Sequence, residues 1–179
     1  MARVFTISRS YTRFAVVVYS SRSTKIFGFN RYTNRRSLLR AIGRIRYTGG
    51  GTKTGYALSY TYQRVLRFSR RKTKVLVVMT DGRSYDNVKR PAKILRRRGI
   101  RILSFGVGKR YSMKQLLQMS SSRRDVFTAD FRNLGSVVRL IKRKACKGKS
   151  NLISFRFFYL SLTGSVRIAD SRFSSSEEP

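Results

Sequence analysis

The sequence predicts an α/β fold built on a mostly parallel sheet with helices on both faces. Three observations predict it. Lys74–Met79 (KVLVVM) is apolar on both faces, as a central parallel strand must be. Short β-branched runs alternate with stretches of helical period. The breaks between them carry helix-capping residues and glycines.

Taken in order, Phe14–Tyr19 (FAVVVY) is a short β-branched strand. Ser20–Arg22 makes a turn into a second strand, Ser23–Phe29. Thr33 or Asn34 can cap a helix running through Arg44, with Leu38, Leu39, Ile42 and Ile45 on its inner face. Gly49-Gly50-Gly51 is a flexible turn, and Gly55–Phe68 follows as a helix with Leu58, Tyr62, Val65 and Leu66 inward. After Lys74–Met79, Asp81-Gly82 breaks the strand. Asn87–Arg98 is a helix with Pro91 in its first turns and Gly99 at its stop. Ile100–Val107 is a strand, and Ser112 caps a helix with Met113, Leu116 and Leu117 inward. Asp125–Ala129 is a short strand, and Phe131–Ala145 a strongly amphipathic helix carrying Leu134, Val137, Val138 and Ile141 at i, i+3, i+4, i+7. Beyond Cys146 the character changes. Gly148–Asn151 reads as a linker, Ile153–Leu162 as an aromatic, strand-prone segment, and Ser174–Pro179 as a polar, acidic, disordered end.

Composition excludes several functions. The 179 residues carry 41 Lys and Arg against 7 Asp and Glu, a formal charge of +34. Hydrophobic residues make up 41%, enough for a core and too many for a wholly disordered chain. No run approaches the roughly 18 apolar residues of a transmembrane helix. The first fourteen residues, MARVFTISRSYTRF, show no continuous apolar stretch of a secretory signal. A single cysteine, Cys146, excludes an internal disulfide framework. The absence of histidine removes Ser-His-Asp and Cys-His catalysis and the common His-based zinc sites.

Glu is absent from the first 176 residues, so helical i,i+4 ion pairs are scarce. The excess positive charge attracts polyanions, whether nucleic acid, sulfated polysaccharide or anionic lipid, and opposes folding by self-repulsion. A solvated basic surface with no dedicated partner is the alternative.

Three loops and strands, in order, carry a resemblance. They are Tyr47-Thr48-Gly49-Gly50-Gly51-Thr52-Lys53-Thr54-Gly55, then Val77-Val78-Met79-Thr80-Asp81-Gly82-Arg83-Ser84, then Gly99-Ile100-Arg101-Ile102 leading to Phe105-Gly106-Val107-Gly108. With this order and spacing, residues 14–147 resemble a von Willebrand factor type A domain, most like those of matrilins and collagen VI. The resemblance implies a doubly wound, Rossmann-like sheet with a metal-ion-dependent adhesion site at the carboxyl edge of its strands, where ligands of such sheets sit. It implies a Mg²⁺ site, or one for Mn²⁺ or Ca²⁺, built from three loops: Asp-x-Ser-x-Ser, a Thr and an Asp. Thr52 matches the Thr and Asp81 the second Asp. A hydroxyl and a carboxylate are ligands that Mg²⁺ accepts. The alternative for Asp81-Gly82 is a plain strand-ending turn, and for Thr52 and Thr54 helix capping.

The sequence departs from the family at its start. No Asp-x-Ser-x-Ser precedes Phe14, and the nearest trace is Thr6-Ile7-Ser8-Arg9-Ser10, which offers Ser8 and Ser10 as further partners. Only Tyr11, Thr12 and Arg13 separate that trace from the strand, whereas a parallel crossover needs about a dozen residues. The expectation is an N-terminally incomplete domain, a fragment or the product of an altered transcript. It has a remnant at 1–13, the domain proper at 14–147 and a divergent tail at 148–179. The family's first strand is central, so either Arg3–Ile7 or Ile153–Leu162 is expected to fill its slot, since an open central edge exposes unpaired backbone. In the family a cysteine after the last helix commonly pairs with one before the first strand. Cys146 matches the former and has no partner in the chain.

The function that follows is an extracellular adhesion or matrix-binding module with a weakened or lost metal site. Its ligands would be matrix proteins such as collagen-like fibres. Sulfated polysaccharide would bind on Lys89, Arg90, Lys93, Arg96 and Arg97. The alternative is a basic polyanion-binding protein. Nucleic acid is the weaker form of it, because no RNP1-like segment or zinc-knuckle spacing occurs. An enzyme is not expected. Gly106-Val107-Gly108-Lys109 lacks the spacing of a phosphate loop and is followed by Arg110, and Asp81 and Asp86 flank a loop better than they pair as acids.

Overall fold

The computed structural model describes residues 5–46, 49–69, 73–130 and the backbone strand 156–160. Six strands form one sheet: β1 (Arg13–Tyr19), β2 (Ser23–Phe27), β3 (Lys74–Thr80), β4 (Ile100–Val107), β5 (Val126–Ala129) and β6 (Arg156–Leu160). Their order is β2-β1-β6-β3-β4-β5. Only β2 runs antiparallel, paired with β1 through a tight hairpin in which the Ser20 amide donates to the Arg22 carbonyl at 2.8 Å. Its burial pattern is that of an edge, with Phe27 buried and Thr24, Lys25 and Ile26 exposed.

Side chains alternate across the sheet and both sets are covered, which is why β1, β3 and β4 read as unbroken apolar runs. Phe14, Val16 and Val18 of β1 join Val75, Val77 and Met79 of β3 and Leu103, Phe105 and Val107 of β4 on one face, with Leu38 against them. Ala15, Val17 and Tyr19 join Leu76, Val78, Ile100 and Ile102 on the other, beneath Leu58, Leu66, Leu95 and Leu116.

Among the described residues four α-helices flank the sheet. α1 (Arg35–Gly43) starts where Asn34 accepts from the Ser37 amide at 2.9 Å. Of its expected inner residues Leu38 is fully buried, while Leu39, Ile42 and Ile45 pack part-buried against the core. α2 (Thr54–Thr61) continues through a π-helical turn, Tyr62–Leu66, in place of the regular helix expected to Phe68. α3 (Lys89–Arg97) begins two residues after Asn87, because the Asn87 side chain caps it, its Oδ1 accepting from the amides of Lys89 and Arg90. Gly99 ends it with φ +72°, the left-handed conformation that a β-carbon resists. α4 (Met113–Met119) corrects the sequence reading. Ser112 caps it, but Met113 and Leu117 are 46% and 41% exposed, and its buried pair is Leu116 and Met119. A seven-residue helix presents one i, i+3 stripe to the sheet, and 116/119 is that stripe.

β6 settles the empty slot. It lies parallel between β1 and β3, with Ala15↔Phe158 on one side and Leu76↔Phe158 on the other. Of the two segments expected there, the C-terminal one fills it. Near the start of the chain, Ile7 makes only an isolated bridge with Thr12, while Phe5 and Ile7 pack into the core beside Phe14. The expected helix 131–145, Cys146 and the tail beyond β6 lie outside the described residues, as do Tyr47-Thr48 of the family-like segment.

Candidate functional site

The rim of interest lies at the carboxyl ends of β1 and β3. β3 ends in a sharp turn in which the Thr80 hydroxyl donates to the Gly82 carbonyl at 2.9 Å, folding the chain around Asp81. Asp81 is 8% exposed. The loop before α2 is pinned at the neighbouring strand end. Gly51 donates its amide to the Ser21 hydroxyl at 2.9 Å and Lys53 its amide to the Ser20 carbonyl at 3.0 Å. Thr52, between them, is 6% exposed.

These two loops are joined to each other. The Tyr85 amide donates to the Thr52 carbonyl at 2.9 Å, and the Thr54 amide to the Ser84 hydroxyl at 2.9 Å. Asp86 finishes the junction. Its carboxylate accepts from the amides of Gly55 (2.8 Å) and Tyr56 (2.6 Å) and from the Ser84 hydroxyl (2.6 Å). Lys53, at the N-cap of α2, makes no side-chain capping bond, so a carboxylate from another loop caps this helix and meets its positive end. Gly55 permits the approach, since a β-carbon there would stand 2.3 Å from the Asn87 carbonyl oxygen. α4 holds the second loop from outside. The Gln115 side-chain amide exchanges two 2.8 Å bonds with the backbone of Ser84.

Tyr19 forms the floor. It is buried, donates to the Met79 carbonyl at 3.1 Å and accepts from the Thr54 hydroxyl at 3.3 Å. Burial pushes its pKa up to about 12, the hydroxyls of Thr54 and Thr80 pull it back, and the negative charges of Asp81 and Asp86 raise it further. One phenol thus touches both loops and feels both carboxylates.

The structure therefore brings the Thr52 and Asp81 loops to one rim. Ser8 and Ser10 are elsewhere. They precede β1, at the amino end of the parallel sheet, about 20 Å of strand away from its carboxyl edge. The Ser8 hydroxyl is engaged locally, accepting from the amides of Ser10 and Tyr11. As partners of Thr52 and Asp81 they are corrected by the direction of β1. On α3, Lys89, Arg90, Lys93 and Arg97 are exposed. Arg96, also expected on that surface, is half-buried, and its Nη1 donates to the carbonyls of Gln118 and Met119 at 2.8 Å each at the C-terminus of α4.

Sequence reading missed Asp86 as the cap of α2 and Tyr19 as the floor.

The donor chemistry at the rim suits a hard cation, with hydroxyl and carboxylate oxygens. It is lean in charge. Asp86 is spent on α2, and no group of three His, Cys, Asp or Glu that could hold a metal occurs among the described residues.

Comparison with known proteins agrees with the fold. The family model of the von Willebrand factor type A domain matches residues 1–141, and the chain belongs to that family. It is 31% identical over 151 residues to vitrin of Mus musculus and 35% over 153 to cochlin of Homo sapiens. Each match covers 82% of this chain and 23% or 28% of the relative, so the chain spans about a quarter of their length. A solved structure of proximal thread matrix protein 1 from the mussel byssus, with zinc in its metal-ion-dependent adhesion site, superposes with a TM-score of 0.73. It is 29% identical over 79% of this chain and 36% of that one. In that protein the metal-ion-dependent adhesion site is thus occupied by a divalent cation.

Proposed function

We propose that this chain is a non-enzymatic adhesion module of the extracellular matrix whose metal-ion-dependent adhesion site survives in weakened form. The observation that carries this reading is the convergence of the Thr52 and Asp81 loops, locked by Ser84, Asp86 and Gln115 over Tyr19. Thr52 and Asp81 supply a hydroxyl and a carboxylate. Without an Asp-x-Ser-x-Ser ahead of β1, the site loses a negative charge, which lowers its affinity for Mg²⁺ or Mn²⁺. A bound cation would in turn accept a carboxylate from a matrix protein such as a collagen-like fibre. The matrix name of the mussel relative accords with this.

The experiment is thermal unfolding with added Mg²⁺ or Mn²⁺. For a dissociation constant on the order of 1 mM, as weak extracellular sites have, about 10 mM metal stabilises by roughly 1.4 kcal/mol. That raises the melting temperature by about 3–6 °C. The Asp81→Ala chain should show no rise. Equal melting with and without metal removes the metal site from the proposal.

A second surface has its own support. The exposed Lys89, Arg90, Lys93 and Arg97 on α3 suit a sulfated polysaccharide bound beside the matrix ligand. Heparin binding that weakens steeply with salt, and RNA binding no tighter, is the expected pattern. Tighter RNA binding would favour the nucleic-acid alternative.

A further inference from the structure

The sheet is completed by its last strand, and this has consequences between molecules. β1 and β3 do not pair with each other; β6 pairs with both, residue for residue from Arg13↔Arg156 to Val17↔Leu160 and from Val75↔Phe157 to Val78↔Leu160. Without β6 the sheet divides into β2-β1 and β3-β4-β5, each with an unpaired edge facing the gap. The residues beside that gap belong to the core, with Ala15, Val16, Val17, Leu76 and Val77 all 0% exposed. Every other described strand precedes β6, the nearest of them by residues 130–155, so the gap waits for the latest of the described strands. Parallel pairing of this kind forms slowly, and the waiting edges accept any matching strand.

We propose that the gap between β1 and β3 is a strand-accepting site, and that β6 of a second copy of this chain occupies it as well as the chain's own β6. The contacts are identical in the two cases, so concentration decides between them. A tethered strand competes at an effective concentration on the order of 1 mM. Reciprocal exchange yields a closed dimer, and one-way exchange a head-to-tail array.

The test uses two full-length variants, both with Cys146→Ser, one carrying Ala15→Cys and the other Phe158→Cys. These positions are register partners on adjacent strands. Neighbouring strands are about 4.8 Å apart, within the span of a disulfide. An equimolar mixture is unfolded, refolded at about 10 and about 100 μM, and oxidised. The proposal expects a cross-linked heterodimer of twice the 20.7 kDa chain mass, with a yield rising roughly tenfold between the two concentrations. A chain bearing both cysteines that cross-links only within itself, with no heterodimer from the mixture, overturns it. Should the cysteines disturb packing, the unsubstituted chain is refolded under reducing conditions at the same concentrations. A tenfold rise in dimer by native mass measurement supports the exchange, and monomer throughout overturns it.

Discussion

Replacing Asp86 with Ala removes one carboxylate from three donors at once, on the junction that holds the rim together. The magnitude follows from what each donor loses. The N-terminal amides of α2 lose their cap, which costs about 1 kcal/mol. The helix loses a negative charge at its positive end, worth about 0.3–1 kcal/mol. Gly55 is buried, so its orphaned amide adds a further penalty of about 1–3 kcal/mol. The Tyr56 amide belongs to an exposed residue and finds water. The cap and the Gly55 amide share one lost bond, so the combined loss is about 3 kcal/mol, or roughly 6–12 °C in melting temperature for a chain of this length. Asp86→Asn keeps one acceptor oxygen and should lose about half as much. Urea denaturation of the full chain, followed by circular dichroism, reads both. A loss below about 0.5 kcal/mol for the alanine variant would show that the loops meet without this carboxylate, and the account of the rim would fail.

Two further outcomes are expected. Tyr19 is neutral when folded and its pKa is raised from 10.0 to about 12, so its share of stability is intact below pH 10 and lost as pH climbs towards 12. The stability difference between the native chain and Tyr19→Phe should therefore shrink by about 3 kcal/mol over that window, measured by denaturation at fixed pH; a constant difference contradicts the buried phenol. On α3, Arg96→Ala should destabilise by about 1–2 kcal/mol by freeing the last carbonyls of α4, while Lys93→Ala should leave stability within about 0.5 kcal/mol and lower the salt needed to elute the chain from heparin.

Much of this fold was legible because its signals are local. β3 and β4 are apolar on both faces, and a strand covered on both sides has no other reading. Asn34 and Ser112 cap by their own side chains three residues ahead, so their helices start where the sequence places them. α2 is different, because its cap, Asp86, lies some thirty residues away and leaves no mark near Thr54. Arg96 is a related case. On a helix rich in Arg and Lys, spacing shows which positions share a face but not that one guanidinium reaches the end of α4. The slot between β1 and β3 was legible as a vacancy, since a parallel crossover could not fit between Ser10 and Phe14. Its occupant was legible only as one of two candidates, because pairing between distant strands is decided by the sheet and not by the segment.

The placement of β6 bears most on everything else, and amide hydrogen exchange tests it directly. With β6 between β1 and β3, the amides of residues 157–160 should exchange as slowly as those of Val75–Val78, within a factor of about ten. Fast exchange at 157–160, with β1 and β3 still protected, would mean that the centre of the sheet is built some other way.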